Sequence, residues 1–159
     1  MWGCLTIRPG RRLLGSAIGM AGVQTEYSLL NSSAEQELIP AAQELGFGVI
    51  GWSALGRGVL TGKYLNSTPP DSRGASVHLA GFVAPYLNDD AARVVNAVAT
   101  AAAGLERSPL EVALAWARGS DGIDCSIVGA RNTHQLRDIL AAADLQLEPQ
   151  IRHVLNEVS

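Results

Sequence analysis

The chain has 159 residues, 47% of them hydrophobic, the size and composition of one ordinary globular domain. A formal net charge of −3 supplies no basic field to gather nucleic acid or acidic lipid, so neither is an expected partner. Two cysteines, Cys4 and Cys125, with no CxxC pair and no Cys/His cluster argue against a disulfide framework or a metal site, and a reducing cytoplasm is the expected location.

Residues 1–22 hold Arg8, Arg11 and Arg12 and no acidic residue, whereas all fifteen acidic side chains lie further on. They read as an atypical N-terminal segment, for which disorder is one reading. The basic stretch before Leu13-Leu14-Gly15-Ser16-Ala17-Ile18-Gly19-Met20-Ala21 has the outline of a signal peptide, and Arg11-Arg12 that of a twin-arginine signal. The apolar run is short, broken by glycines and without a clear cleavage site, so export is disfavoured. Nothing approaches the ~18 continuous apolar residues of a membrane span.

From residue 22 strands and helices alternate. Gly22-Val23-Gln24-Thr25-Glu26-Tyr27 is β-prone, and Ser33-Ala34-Glu35-Gln36 has the capping-box spacing that opens a helix. Pro40 suits a break or restart within that helical stretch, Gly46 a left-handed stop, and Gly48–Trp52 a second strand. Residues 53–88 are rich in Gly, Pro and Ser without a period, far longer than an ordinary connection, which marks a functional loop. Asn88 opens a helix through Ala103 with Val94, Val95 and Val98 on one stripe. Ser108, Pro109 and Glu111 open another, burying Leu110, Ala113, Leu114 and Ala117, with Trp116 flanking that face. Cys125–Val128 is a third strand of buried type, Asn132 or Thr133 starts a helix to about Ala142, and a short helix spans Pro149 to Glu157.

Short apolar strands separated by helices predict an α/β fold with parallel strands. Three strands do not choose between an open sheet and a barrel. No GxGxxG follows a strand and no GxxxxGK[ST] occurs, which argues against a Rossmann or P-loop nucleotide site.

Three segments carry a more specific signal. They are Val23-Gln24-Thr25-Glu26-Tyr27-Ser28-Leu29-Leu30, then Gly51-Trp52-Ser53-Ala54-Leu55-Gly56-Arg57-Gly58-Val59-Leu60-Thr61-Gly62-Lys63-Tyr64, then Ile127-Val128-Gly129-Ala130-Arg131-Asn132 leading to Gln135-Leu136. Their order, spacing and strand-end placement resemble the aldo-keto reductases, including the branch that contains potassium-channel β subunits, over residues 23–159. The resemblance implies a partial (β/α)8 TIM barrel, the last three strands with their helices, and a cofactor, NADP(H), lying across the C-terminal face. Barrels of this type place their sites there on physical grounds, with phosphate often held after strands 7 and 8.

The resemblance implies a role for each matching residue. Gln24 would hydrogen-bond the nicotinamide carboxamide and Trp52 would stack on its ring; without the motif they would read as a polar strand end and a core aromatic. Ser53, Ala54, Leu55, Gly56 and Arg57 would form a turn whose backbone approaches the pyrophosphate. Lys63, the sole lysine, and Arg73 would contact phosphates or clamp the cofactor, although as isolated residues both would read as surface charges. Gly129 sits in the turn before Arg131, which would take the 2′-phosphate of NADP, while Gln135 and Asp138 would contact the adenosine. The asparagine usual after the acidic position is Ile139, which removes one adenine hydrogen bond.

The family delivers a proton to a carbonyl substrate from a tyrosine tuned by lysine, histidine and aspartate on early strands. No such set is found: Tyr27, Tyr64 and Tyr86 fall in segments matching other parts of the pattern, and His78, His134 and His153 read as surface residues. The expectation is an oxidoreductase by family that is truncated and inactive alone, acting on a small carbonyl substrate only if completed by the missing half. Open strand edges lead to an expectation of self-association. A non-catalytic NADP(H)-binding or regulatory module and a structural remnant remain open as alternatives.

Overall fold

A computed structural model describes residues 21–159. The readings of residues 1–20, including Cys4, the arginine cluster and the export signals, lie outside the described residues. Three short strands, β1 (Gly22–Glu26), β2 (Gly48–Trp52) and β3 (Cys125–Ile127), form a parallel sheet in the order β1-β2-β3. Gln24 stands opposite Ile50 and Glu26 opposite Trp52, while Ile50 and Trp52 stand opposite Cys125 and Ile127.

Because side chains alternate along a strand, this register sorts the sheet into two faces. Val23 and Val49 bury one face against helix α1 (Leu38–Leu45), whose Ile39 and Ala42 belong to the same core. The other face carries Gln24, Glu26, Ile50, Trp52, Cys125 and Ile127, none of which is buried. The expectation of a buried third strand is corrected here: Cys125 is exposed and Ile127 is 45% exposed, because β3 pairs only with β2 and no described element covers its outward face.

The Ser33 capping box does not form. Ser33 begins a single 3-10 turn (Ser33–Glu35) without a side-chain cap, and its hydroxyl donates to Asn31 Oδ1 at 2.7 Å. Glu35 instead accepts a hydrogen bond from the Tyr27 hydroxyl. The helix starts later, at Leu38, which places Pro40 in the first turn, where its missing N–H removes no helical bond. Gly46 ends it at φ 70°, with its N–H returned to the last turn.

The 53–88 segment is built from short pieces: a kinked 3-10 stretch at Gly56–Thr61, 3-10 turns at Arg73–Ala75 and Ala84–Tyr86, and one turn of helix α2 (Ala80–Val83). Helix α3 (Asp89–Gly104) starts on Asn88, whose side chain accepts the Ala91 N–H at 2.8 Å, and two aspartates follow at its positive end. Helix α4 (Pro109–Arg118) carries a complete capping box between Ser108 and Glu111. Val94, Val95 and Val98 of α3 pack in one core with Val112, Ala113 and Ala117 of α4.

Trp116 does not flank the α4 face; it is 1% exposed. Its ring stacks on Tyr27 at 5.2 Å between centroids, and its Nε1 donates to Asn156 Oδ1 at 2.7 Å on helix α6 (Pro149–Val158). Helix α4 is enclosed on several sides at once, so it has no exposed flank: Val112 through Ala117 are all buried. Arg152 of α6 donates to the Ala115 and Trp116 carbonyls at 3.2 and 3.0 Å, satisfying the C-terminal end of α4. Helix α5 (Thr133–Ala141) starts on Asn132, which accepts the Gln135 N–H at 2.9 Å. Among the described residues no helix is long and apolar enough to cross a membrane.

Candidate functional site

The chain leaves β2 through a backbone that few L-residues adopt. Ser53 has φ 61°, Gly56 φ 53°, Arg57 φ 59° and Gly58 φ 94°, with Gly62 following at φ 79°. The turn is closed by Gly56 N–H to Ser53 O at 2.7 Å and Gly58 N–H to Leu55 O at 2.9 Å. Two non-glycine residues in left-handed geometry within five positions is a concentration of strain typical of ligand-contacting turns.

This turn floors a cavity of about 860 Å³ at the C-terminal ends of β2 and β3. Ser53, Ala54, Leu55 and Arg57 line it, as do Lys63 and Arg73 from the long segment and Gly129, Arg131, Gln135 and Asp138 from the start of α5. Three expected residues do not line it. Gln24 and Trp52 lie on the open sheet face, and Gly56 is buried beneath the turn, where an added Cβ would stand 2.7 Å from Leu30.

The cavity wall is cationic. Lys63 and Arg73 reach it from the long segment and Arg131 from the turn after β3, and Asp138 is the one carboxylate in its lining among the described residues. Lys63 lies across Gly58: a Cβ there would stand 3.2 Å from Nζ, so the missing side chain is the space the lysine uses. Arg131 Nη1 donates to the Asp71 carbonyl at 3.0 Å, bridging the long segment to the β3–α5 turn. Its backbone N–H donates to Gln135 Oε1 at 2.8 Å. His134 Nε2 lies 3.7 Å from Asp138 Oδ2. The N-terminus of α5 adds a positive dipole end. An elongated ligand carrying more than one anionic group fits this donor set; among the described residues no group of three or more His, Cys, Asp or Glu stands ready for a metal.

Arg57 differs from the other cations. Its Nε and Nη2 donate to Glu26 Oε1 and Oε2 at 2.8 and 2.6 Å, and Nη1 donates to the Phe82 carbonyl at 2.6 Å. The guanidinium stands over the Phe82 and Tyr86 rings, 4.2 and 4.7 Å from their centroids. The bond to Glu26 raises its pKa, and burial, with the Glu26 charge next, raises that of Tyr86.

Sequence reasoning did not place Leu79, Phe82, Ile127, Val128 or His134 on the cavity, yet all line it, together with Ile139 at the expected adenine position. Leu79 and Phe82 belong to a segment with no period to read. Leu110, assigned to the buried face of α4, is half-buried because the cavity undercuts it. His134 is 85% exposed, as a surface residue should be, and touches the cavity rim from the first turn of α5.

Comparison with known proteins adds identity to this geometry. The family described as the aldo/keto reductase family matches residues 11–158. An uncharacterized oxidoreductase, YrpG, of Bacillus subtilis is 31% identical over 141 residues, covering 89% of this chain and 41% of that protein. A probable voltage-gated potassium channel subunit beta of Oryza sativa is 33% identical over 130 residues, covering 80% of this chain and 40% of that protein. Protein tas of Escherichia coli is 32% identical over 129 residues, covering 81% and 37%. The chain spans about two fifths of the length of these curated relatives. The chain belongs to the aldo/keto reductase family.

Proposed function

We propose that this chain forms the NADP(H)-holding part of an oxidoreductase that reduces a small carbonyl substrate by hydride transfer. The reading rests first on one observation: Lys63 and Arg73 of the long segment and Arg131 of the turn after β3 line one cavity floored by a strained, glycine-rich turn. In this reading the three strands are the last three of a (β/α)8 barrel. Lys63 and Arg73 hold the phosphates, Arg131 takes the 2′-phosphate that separates NADP from NAD, and Gln135 and Asp138 hold the adenosine. Gln24 and Trp52, on the face that would point into a closed barrel, hold the nicotinamide. The bound nicotinamide supplies the hydride; the chain's own residues orient it and keep water from its phosphate end.

The proton-delivering tyrosine set of the family has no match in this chain, so the chain alone holds cofactor without turning it over. Its carbonyl substrate requires the early strands of a barrel. A sheet face and edges that no described residue covers also favour self-association, and the exposed free thiol of Cys125 favours a reducing, cytoplasmic setting. A second reading, a non-catalytic NADP(H)-binding regulatory module, is favoured by the relatives named as channel β subunits.

Titration with NADPH while following tryptophan emission, in wild type and Trp52→Phe, tests the binding. Quenching that weakens in the variant supports it, and no quenching at millimolar NADPH defeats it. Carbonyl-dependent NADPH oxidation is expected to be absent from the isolated chain; turnover would overturn the assignment of the proton donor to other strands.

A further inference from the structure

The cavity wall formed by Leu79 and Phe82 is tied to the core by one fully buried side chain, Val83, with Tyr86 packed partly against it. It belongs to a stretch of one helical turn, α2, followed by one 3-10 turn, and Leu79 and Phe82 are 42% and 40% exposed. Beyond Val83 such a short segment buries little apolar surface, and a hold from outside it raises the cost of opening.

Arg57 supplies that outside hold. Its side chain is 15% exposed, and that of Glu26, at the end of β1, is 10% exposed. The planar fork meets the carboxylate with two nitrogens at 2.8 and 2.6 Å, and the remaining Nη1 takes the Phe82 carbonyl at 2.6 Å. The flat faces of the same group stand over Phe82 and Tyr86. One side chain thus joins the strand end, the segment's backbone and two of its rings. Of its five N–H groups three are committed within the protein, both Glu26-facing nitrogens among them, so a ligand would meet only the two that remain.

We propose that Arg57 is a positioning residue: anchored on Glu26, it latches residues 79–86 over the cavity and thereby slows release of the ligand, rather than binding that ligand's phosphates itself. The latch is built with a backbone device. Arg57 sits at φ 59°, which aims its side chain back across the turn toward β1, and glycine at this position keeps that backbone at no steric cost. Arg57→Gly therefore removes the latch without disturbing the turn. Glu26→Gln removes the anchor and leaves the guanidinium freer. A lysine at position 57 keeps the charge but loses the fork and the stacking surface.

These variants separate the latch from a direct phosphate contact, because the two roles predict opposite signs. If Arg57 is a latch, both Glu26→Gln and Arg57→Gly speed hydrogen–deuterium exchange of the 79–87 amides, by roughly tenfold for loss of charge-assisted and cation–π contacts. Both also speed NADPH release, and Arg57→Lys restores neither in full. If Arg57 binds phosphate, freeing it by Glu26→Gln tightens NADPH while Arg57→Gly weakens it; that result overturns the proposal, as does unchanged exchange in both variants. The release readout rests on the NADP(H) reading, but the exchange readout does not, so a wild type that binds no NADPH defeats the proposed function and leaves the latch to be judged by exchange. Phe82→Ala, a partly exposed position that spares the ion pair, keeps the test decisive if either charge variant fails to fold. It must raise 79–87 exchange, and no change would overturn the latch.

Discussion

Arg131 and Asp71, sixty residues apart, meet through a 3.0 Å hydrogen bond from a guanidinium nitrogen to a backbone carbonyl. The contact draws the proline-containing stretch of the long segment onto the turn before α5, so one cation closes the cavity's rim and faces its interior.

Arg131→Met is expected to weaken NADPH binding by roughly ten- to a hundredfold, the worth of one or two charge-assisted hydrogen bonds, and to leave NADH binding nearly unchanged. Parallel titrations with the two dinucleotides check this. An equal loss for both would assign Arg131 to rim closure alone.

Gly58→Ala meets two penalties: a backbone at φ 94° and a Cβ 3.2 Å from Lys63 Nζ. We expect a loss of about 1–2 kcal/mol from the left-handed conformation. The lysine end is flexible and would swing away, so NADPH affinity should fall with stability. Chemical denaturation together with the NADPH titration reads both.

The Ser108–Glu111 box gives stability a defined acid limb. The Glu111 carboxylate accepts the Ser108 N–H and hydroxyl, each at 2.8 Å, and the backbone bond first among them lowers its pKa from the ordinary 4.5. A lowered acid stabilises the fold fully above that ordinary value, and the contribution disappears as pH falls through the lowered one. Glu111→Gln should therefore cost stability at neutral pH and lose its difference from wild type in acid. Ser108→Ala should cost about 1 kcal/mol. Thermal melts across pH 3–7 would expose a difference that persists into acid and so contradict this account.

Trp116→Ala is expected to cost about 3–5 kcal/mol, because it empties a site 1% exposed and removes the ring stacked on Tyr27. Trp116→Phe keeps much of the volume but leaves Asn156 without its indole donor, costing about 1–3 kcal/mol. Urea midpoints rank the two.

The parts of the fold legible in the sequence are those decided by neighbours in the chain. Asn88, Ser108 and Gly46 each end or start a helix through a bond spanning a few residues, and each was readable from residue type and spacing. The misreadings share a different cause. Ser33 and Gln36 carry the right letters for a cap, but Ser33 falls inside a 3-10 turn and its hydroxyl turns back to Asn31. Trp116 reads as a flank because α6, which seals it, arrives forty residues later. β3 reads as buried because its apolar letters do not disclose that it stands at the sheet edge. At the site, Lys63 and Arg131 were legible because each lies in a segment that follows a strand end, whereas Arg73, in the aperiodic stretch, was marked only by the family resemblance. The commitment of Arg57 to Glu26 was not, since it depends on where two strand ends meet in space.

Lys63 carries the only side-chain amine in the sequence, and the fold sets it against Gly58 at the cavity. Amine-directed reagents thus have a single side-chain target on this molecule, so acylation at a pH high enough to free the lysine, with the α-amine blocked beforehand, places a fluorophore or crosslinker at the cavity without any engineered attachment point.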